Sequence, residues 1–290
     1  MRPYPIQTTK GGIRREPTVL DNHRRVGAAL QSEVQRRLNA ATSREVVLYV
    51  HGFNETFATA AHTAAELCHF FGRSHVCSFF TWPASDTGNP LTSYISTTES
   101  ALYSVSHLKK TIRTLARTPG VEGLHLLAHS RGSALLLNVM RELSIEAIAA
   151  GESPAEALKL EHLGLMSPDI DADVARQQLE IFASDPDPIT HWRSPQLPTF
   201  LRGRFTVCAS PDDDALRLVK ILFRSKPRVG QLSPDNISET IQDYFAKAGR
   251  DEPPIPAERG ENHTPFEKGC YVRNGSGTDD YALKSEGPQT

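Results

Sequence analysis

Ser130 stands at the centre of Ala128-His129-Ser130-Arg131-Gly132, between the apolar run Gly123 to Leu127 and the helical run Ser133 to Met140. The pattern reads as a strand, a sharp turn and a helix, with a hydroxyl at the apex. Small residues lie two places to either side, because bulky ones would collide in a turn this tight. The spacing is that of Gly-x-Ser-x-Gly, with Ala128 in the first glycine position. A serine oxygen attacks a carbonyl only when a neighbouring base takes its proton, and the carbonyl oxygen then needs N–H donors as it becomes negative. The plainer alternative is that Ser130 merely caps the following helix, a position serine favours.

The remaining parts of such a site can be sought after other strands. His51-Gly52-Phe53-Asn54 follows Val46 to Val50, and a His-Gly loop there suits half of an oxyanion hole. The expected donors are the amide of Phe53 (or Asn54) and that of Arg131, which follows the nucleophile. The acid should come after a strand later in the chain than the serine, and the histidine last. Asp213, in Ser210-Pro211-Asp212-Asp213-Asp214, is the first choice and Asp169 the alternative acid. Helix capping is the competing account of Asp213. His263 is the one histidine after Asp213 and the expected base; His191, pairing with Asp169, is the fallback. His51 reads as a structural hydrogen-bonder, and the His129 side chain is expected to point away from the site. His62 and His69 share a helix face, but no His-Glu-x-x-His or partner carboxylate gives metal spacing. Phosphate-binding and dinucleotide glycine patterns are also missing. No metal, nucleotide or other cofactor is expected.

Strands must hold these residues in place. Val46–Val50, Val76–Phe80, Gly123–Leu127, Leu163–Met166 and Arg204–Ala209 read as strands, alternating with helical patterns over 56–71, 97–117, 131–150 and 174–179. Alternation of this kind implies a parallel sheet with helices on both faces. Polar groups cluster immediately after these strands, where open parallel sheets bind ligands. Residues 1 to about 22 read as a flexible arm, followed by a short helix on Val26, Leu30, Val34 and Leu38. The expected division is an arm and short helix over 1–44, a single domain over 45–273, and a loose tail over 274–290.

The chain has 290 residues and a formal net charge of -2. That balance disfavours a nucleic-acid partner. No run approaches the ~20 apolar residues of a membrane span, and the start lacks an apolar export signal. The cysteines at 68, 77, 208 and 270 form no Cys-x-x-Cys pair. They read as reduced, buried small hydrophobes, which would fit the cytoplasm.

Taken together, Val50-His51-Gly52-Phe53-Asn54, Phe80-Thr81-Trp82-Pro83-Ala84-Ser85, Thr98-Glu99-Ser100-Ala101, Leu127 to Gly132, Ser167-Pro168-Asp169-Ile170-Asp171 and Ser210 to Leu216 resemble an alpha/beta hydrolase, and more narrowly a bacterial family of esterase/lipase-like hydrolases with no assigned function. The resemblance covers about residues 45 to 225. It implies the alpha/beta-hydrolase fold and a serine-dependent hydrolase, with Ser130 as nucleophile and Asp213 as acid. Such proteins commonly carry methionine where Arg131 stands, so a cation is expected near the site entrance. The reading is a carboxylic-ester hydrolase acting on a small molecule. Acyl transfer on the same residues, or an inert scaffold with the same fold, are the rivals.

Overall fold

A computed structural model describes residues 6–84, 90–180, 201–210, 213–223, 228–231 and 269–274. Strands β3 (Glu45–Val50), β4 (Val76–Phe80), β5 (Gly123–His129), β6 (Leu160–Met166), β7 (Arg204–Ala209) and β8 (Gly269–Asn274) make one sheet in the order β4-β3-β5-β6-β7-β8. The first five run parallel and β8 pairs antiparallel with β7. Helices α2 (Phe57–Phe70), α3 (Pro90–Ala116), α4 (Arg131–Ala149), α5 (Pro154–Leu158), α6 (Ala172–Glu180) and α7 (Asp214–Phe223) connect or follow the strands. This is the alpha/beta-hydrolase architecture expected from the sequence.

The chain goes outward from β3 to β4, then crosses back over β3 to lay down β5. Right-handed crossovers therefore place α2 on one face and α3 and α4 on the other. The reversal between β3 and β5 opens a crevice at their carboxyl ends. Burial follows this layering. β3 is buried from Val46 to Val50, whereas β5 alternates: Leu124, Leu126 and Ala128 face the core, and His125, Leu127 and His129 are half-buried on the α2 side. Val46, Leu48, Val50, Leu108, Ile112, Leu136, Leu137 and Met140 complete the core on the α3–α4 face.

Two expectations fail here. Residues 6–15 are not an arm but a hairpin, β1 (Ile6–Thr9) and β2 (Gly12–Arg15), and the helix after it, α1 (Pro17–Leu38), has 22 residues. Nor are the cysteines reduced. Cys68 at the end of α2 and Cys77 on β4 are joined by a disulfide, and Cys208 is disulfide-bonded too. Bridges of this kind persist in oxidising compartments, so the cysteine-based argument for the cytoplasm falls. Among the described residues no helix is long and apolar enough to cross a membrane.

Candidate active site

Ser130 occupies the turn between β5 and α4 with φ 49° and ψ -123°. A non-glycine residue in this region costs about 1–3 kcal/mol, so its surroundings must impose it. They do so through the main chain. The Ser130 N–H donates to the Met166 carbonyl at the end of β6 (2.9 Å), and the Ser130 carbonyl accepts from the N–H groups of Ser133 (3.0 Å) and Asp169 (3.1 Å). The hydroxyl thus sits at the positive end of a 19-residue helix.

The flanking residues explain themselves. A Cβ on Gly132 would lie 2.3 Å from the His51 carbonyl oxygen and 2.7 Å from that of Val50, so α4 starts in direct contact with the end of β3. Ala128 meets no such constraint. Its methyl is fully buried in the core, and its strand pairs with Val50 on one side and Leu165 on the other. A Cβ on Gly52 would lie 2.9 Å from the Ser130 Cβ and 3.0 Å from the His129 Nδ1. The His-Gly loop therefore lies against the serine.

That loop is itself held rigidly. The His51 Nε2 accepts from the Trp82 main-chain N–H (3.2 Å), and its Nδ1 faces the Gly52 carbonyl (3.0 Å). An acceptor at Nε2 leaves the proton at Nδ1, where it donates to Gly52. Burial holds the His51 pKa below the usual value and keeps the ring neutral. The Trp82 indole N–H donates to the His51 carbonyl (2.9 Å) and its ring stacks on the imidazole. His51 is a structural hydrogen-bonder. Asn54 has φ 58°, and its N–H is spent on the Ala84 carbonyl (2.8 Å).

Arg131 does not project toward the entrance. It is buried, stacks over the Tyr94 ring at 4.5 Å, and reaches Thr98 and Asp169. Asp169, only 1% exposed, lies between two guanidiniums, with Arg131 at 3.6 Å and Arg228 at 3.4 Å, and also accepts from the Tyr94 hydroxyl. Burial and the Asp169 charge push the Tyr94 pKa up, so it remains a donor. Among the described residues this carboxylate meets two arginines and a phenol, and no imidazole. The cation expected at the mouth is instead neutralised inside, behind the turn, because a guanidinium without a counter-charge is costly to bury.

Asp213 follows β7 at the same end of the sheet. Its Oδ1 accepts from the Leu216 N–H (3.0 Å), which caps α7. His263 and His191 lie outside the described residues, as does Asp212. Two further groups bear on this end of the sheet: His129, whose side chain was expected to point away from the site, and Glu55, which the sequence reading did not weigh. His129 is half-buried beside Gly52; burial lowers its pKa, and the charges of Glu55 and Asp213 offset this in part. The Glu55 Oε2 is buried and has no hydrogen-bond partner among the described residues. Alternation along β5 was the available clue, since Ala128 facing the core turns His129 to the opposite face.

A family model described as an alpha/beta hydrolase of unknown function (DUF900) matches residues 26–268. The chain belongs to that family. No curated protein matches it. Solved structures to which the chain is similar include an Agrobacterium vitis S4 protein named as a putative hydrolase (15% identity, TM-score 0.26), aligned over 52% of this chain and 49% of its own. The chain thus spans about half the length of that relative. An inhibited esterase B from Lactobacillus rhamnosis aligns at 13% identity over 72% of this chain and 79% of its own, with TM-score 0.34. A Pyrobaculum calidifontis esterase aligns at 15% identity over 46% and 38%, with TM-score 0.24.

Proposed function

We propose that this hydrolase cleaves carboxylic esters of small molecules through an acyl-enzyme on Ser130, with Asp213 and His263 completing the catalytic triad. The observation that carries the reading is the Ser130 turn: a positive-φ serine at the tip of β5, at the start of α4, with Gly52 pressed against its Cβ. The imidazole of His263 takes the Ser130 proton as Oγ bonds to the carbonyl carbon. The Phe53 and Arg131 amides receive the oxyanion; the Asn54 amide is committed to Ala84. Each donor is worth about 3 kcal/mol in such sites. The imidazolium returns its proton to the departing alcohol. Water, deprotonated by the same ring, then releases the acid and frees Ser130. Asp213 rather than Asp169 serves as acid, because among the described residues its carboxylate makes one hydrogen bond, through Oδ1, while Asp169 is held by two arginines.

The test is turnover of p-nitrophenyl butyrate together with labelling by a fluorophosphonate. Ser130→Ala is expected to lose both while keeping the parent melting curve. Labelling at another residue would refute the nucleophile. Inertness of the parent chain to both reagents would favour a scaffold, and new esters formed from an added alcohol would favour acyl transfer.

A further inference from the structure

A second cluster of chemically capable side chains lies at the opposite end of the sheet, on the α2 side. Glu45 is the first residue of β3, His75 immediately precedes β4, and His125 is the third residue of β5. These strands are neighbours in the order β4-β3-β5. The His75 Nε2 and the His125 Nε2 converge on one oxygen, the Glu45 Oε2, at 3.0 and 3.1 Å. All three atoms lie within 4.8 Å of one another. We propose that Glu45, His75 and His125 form a binding site for a divalent transition-metal ion, zinc by the chemistry of the donors.

Geometry supports this. Ligand atoms about 2.05 Å from a tetrahedral ion stand about 3.3 Å apart. Two of the three separations here are already within a few tenths of an ångström of that. Two imidazoles and one carboxylate suit zinc and its first-row neighbours, whereas magnesium and calcium prefer all-oxygen sets. The surroundings orient the donors. Ser74 Oγ meets the His75 Nδ1 at 2.8 Å, which fixes that ring, and Ser43 Oγ donates to Glu45 (3.0 Å). Opposite Glu45, Gly123 leaves room for the carboxylate stem, since a Cβ there would lie 3.2 Å from the Glu45 Cγ. The Cys68–Cys77 bridge ties down the segment that carries His75. His162 walls the site, its ring 5.0 Å from that of His125, but its Nδ1 is occupied by the Arg204 N–H.

The three side chains are 14–35% exposed, so an ion can enter and a water can fill the fourth position. His125 lies five residues before Ser130 along β5, about 16 Å at ~3.3 Å per residue. The ion therefore has no part in the ester chemistry. It acts as a clip across three strands and stabilises the fold when bound.

The experiment uses the full chain without a histidine tag, stripped with EDTA and titrated with zinc chloride by calorimetry and thermal melting. One zinc per chain is expected, with a melting point roughly 4–5 °C higher at a hundredfold excess over Kd. Magnesium chloride is expected to do neither. Glu45→Gln and His75→Gln should each weaken zinc binding at least ~10²-fold, more than loss of an outer partner does, while His62→Gln/His69→Gln retains it. X-ray absorption of the zinc-loaded parent chain should count two imidazoles, a readout that needs no variant to fold. No binding by the parent, binding unchanged in both ligand variants, or a zinc shell without imidazole would overturn the proposal.

Discussion

Gly132→Ala is the sharpest perturbation of the proposed reaction. The added methyl would sit 2.3 Å from the His51 carbonyl oxygen and 2.7 Å from that of Val50, and both obstacles are main chain. Since carbon contacts under 3.0 Å essentially never occur, the start of α4 must retreat from β3 by at least 0.7 Å. The Arg131 amide rides on α4, whereas the Phe53 amide rides on the loop after β3. The substitution therefore separates the two proposed oxyanion donors. Displacements near 1 Å cost about 10²-fold in rate, and complete loss of one donor about 10²–10³-fold. Overpacking adds roughly 1–3 kcal/mol of instability. Initial rates on p-nitrophenyl butyrate should show kcat reduced at least ~10²-fold with KM little changed, in a protein that still melts cooperatively. Ala128→Gly, at the other flank, meets no wall and should leave kcat within a few-fold. A Gly132→Ala enzyme with parental kcat would refute the claim that this contact sets the donor geometry.

Asp213→Asn should depress kcat by about 10⁴-fold, by analogy with acid removal in other triads. Asp169→Asn should act on stability instead, lowering the urea midpoint by the equivalent of about 3–5 kcal/mol, because it breaks the buried Arg131–Asp169 pair and removes a charge that Arg228 also faces. The reverse ranking of these two variants in kcat would move the acid to Asp169. Replacing Cys68 and Cys77 with serine opens a loop of sequence separation 9. Loop-closure entropy predicts a loss of about 2.5 kcal/mol, readable in the urea midpoint, and an unchanged midpoint would contradict the bridge. Burial lowers the folded-state pKa of both His51 and His129 from 6.5. The unfolded chain then binds more protons, so stability is complete above about pH 6.5 and declines as pH falls below it. Urea midpoints measured between pH 7.5 and 5 should fall accordingly, with a shallower slope in His51→Gln; a flat or rising midpoint would refute the assignment.

Local signals were legible where burial and chain direction agree. β3 and β7 are recognisable as apolar runs bounded by turns, and Ser130 as a hydroxyl between a strand and a helix. The hairpin β1–β2 was not, because the residues of β2 face solvent and the segment carries no hydrophobic period. The early turns of α3 were missed for a related reason. The expected helix begins at residue 97, whereas α3 begins at Pro90, and Ser93 in those first turns looks polar yet is buried. The Cys68–Cys77 bridge depends on α2 lying back along β4, which no spacing rule announces.

The sequence by itself determined the alternation of strands and helices, the strained turn at Ser130, and the small residues that turn requires. These are properties of neighbours along the chain, governed by backbone sterics and by periodic burial. Tertiary structure alone decided where side chains point and which distant groups meet. It drew Arg131 inward to Asp169, left Asp213 to cap α7, and lined up Glu45, His75 and His125 across three strands. Register and strand order set those meetings, and both follow from packing of the whole sheet rather than from any single stretch of chain.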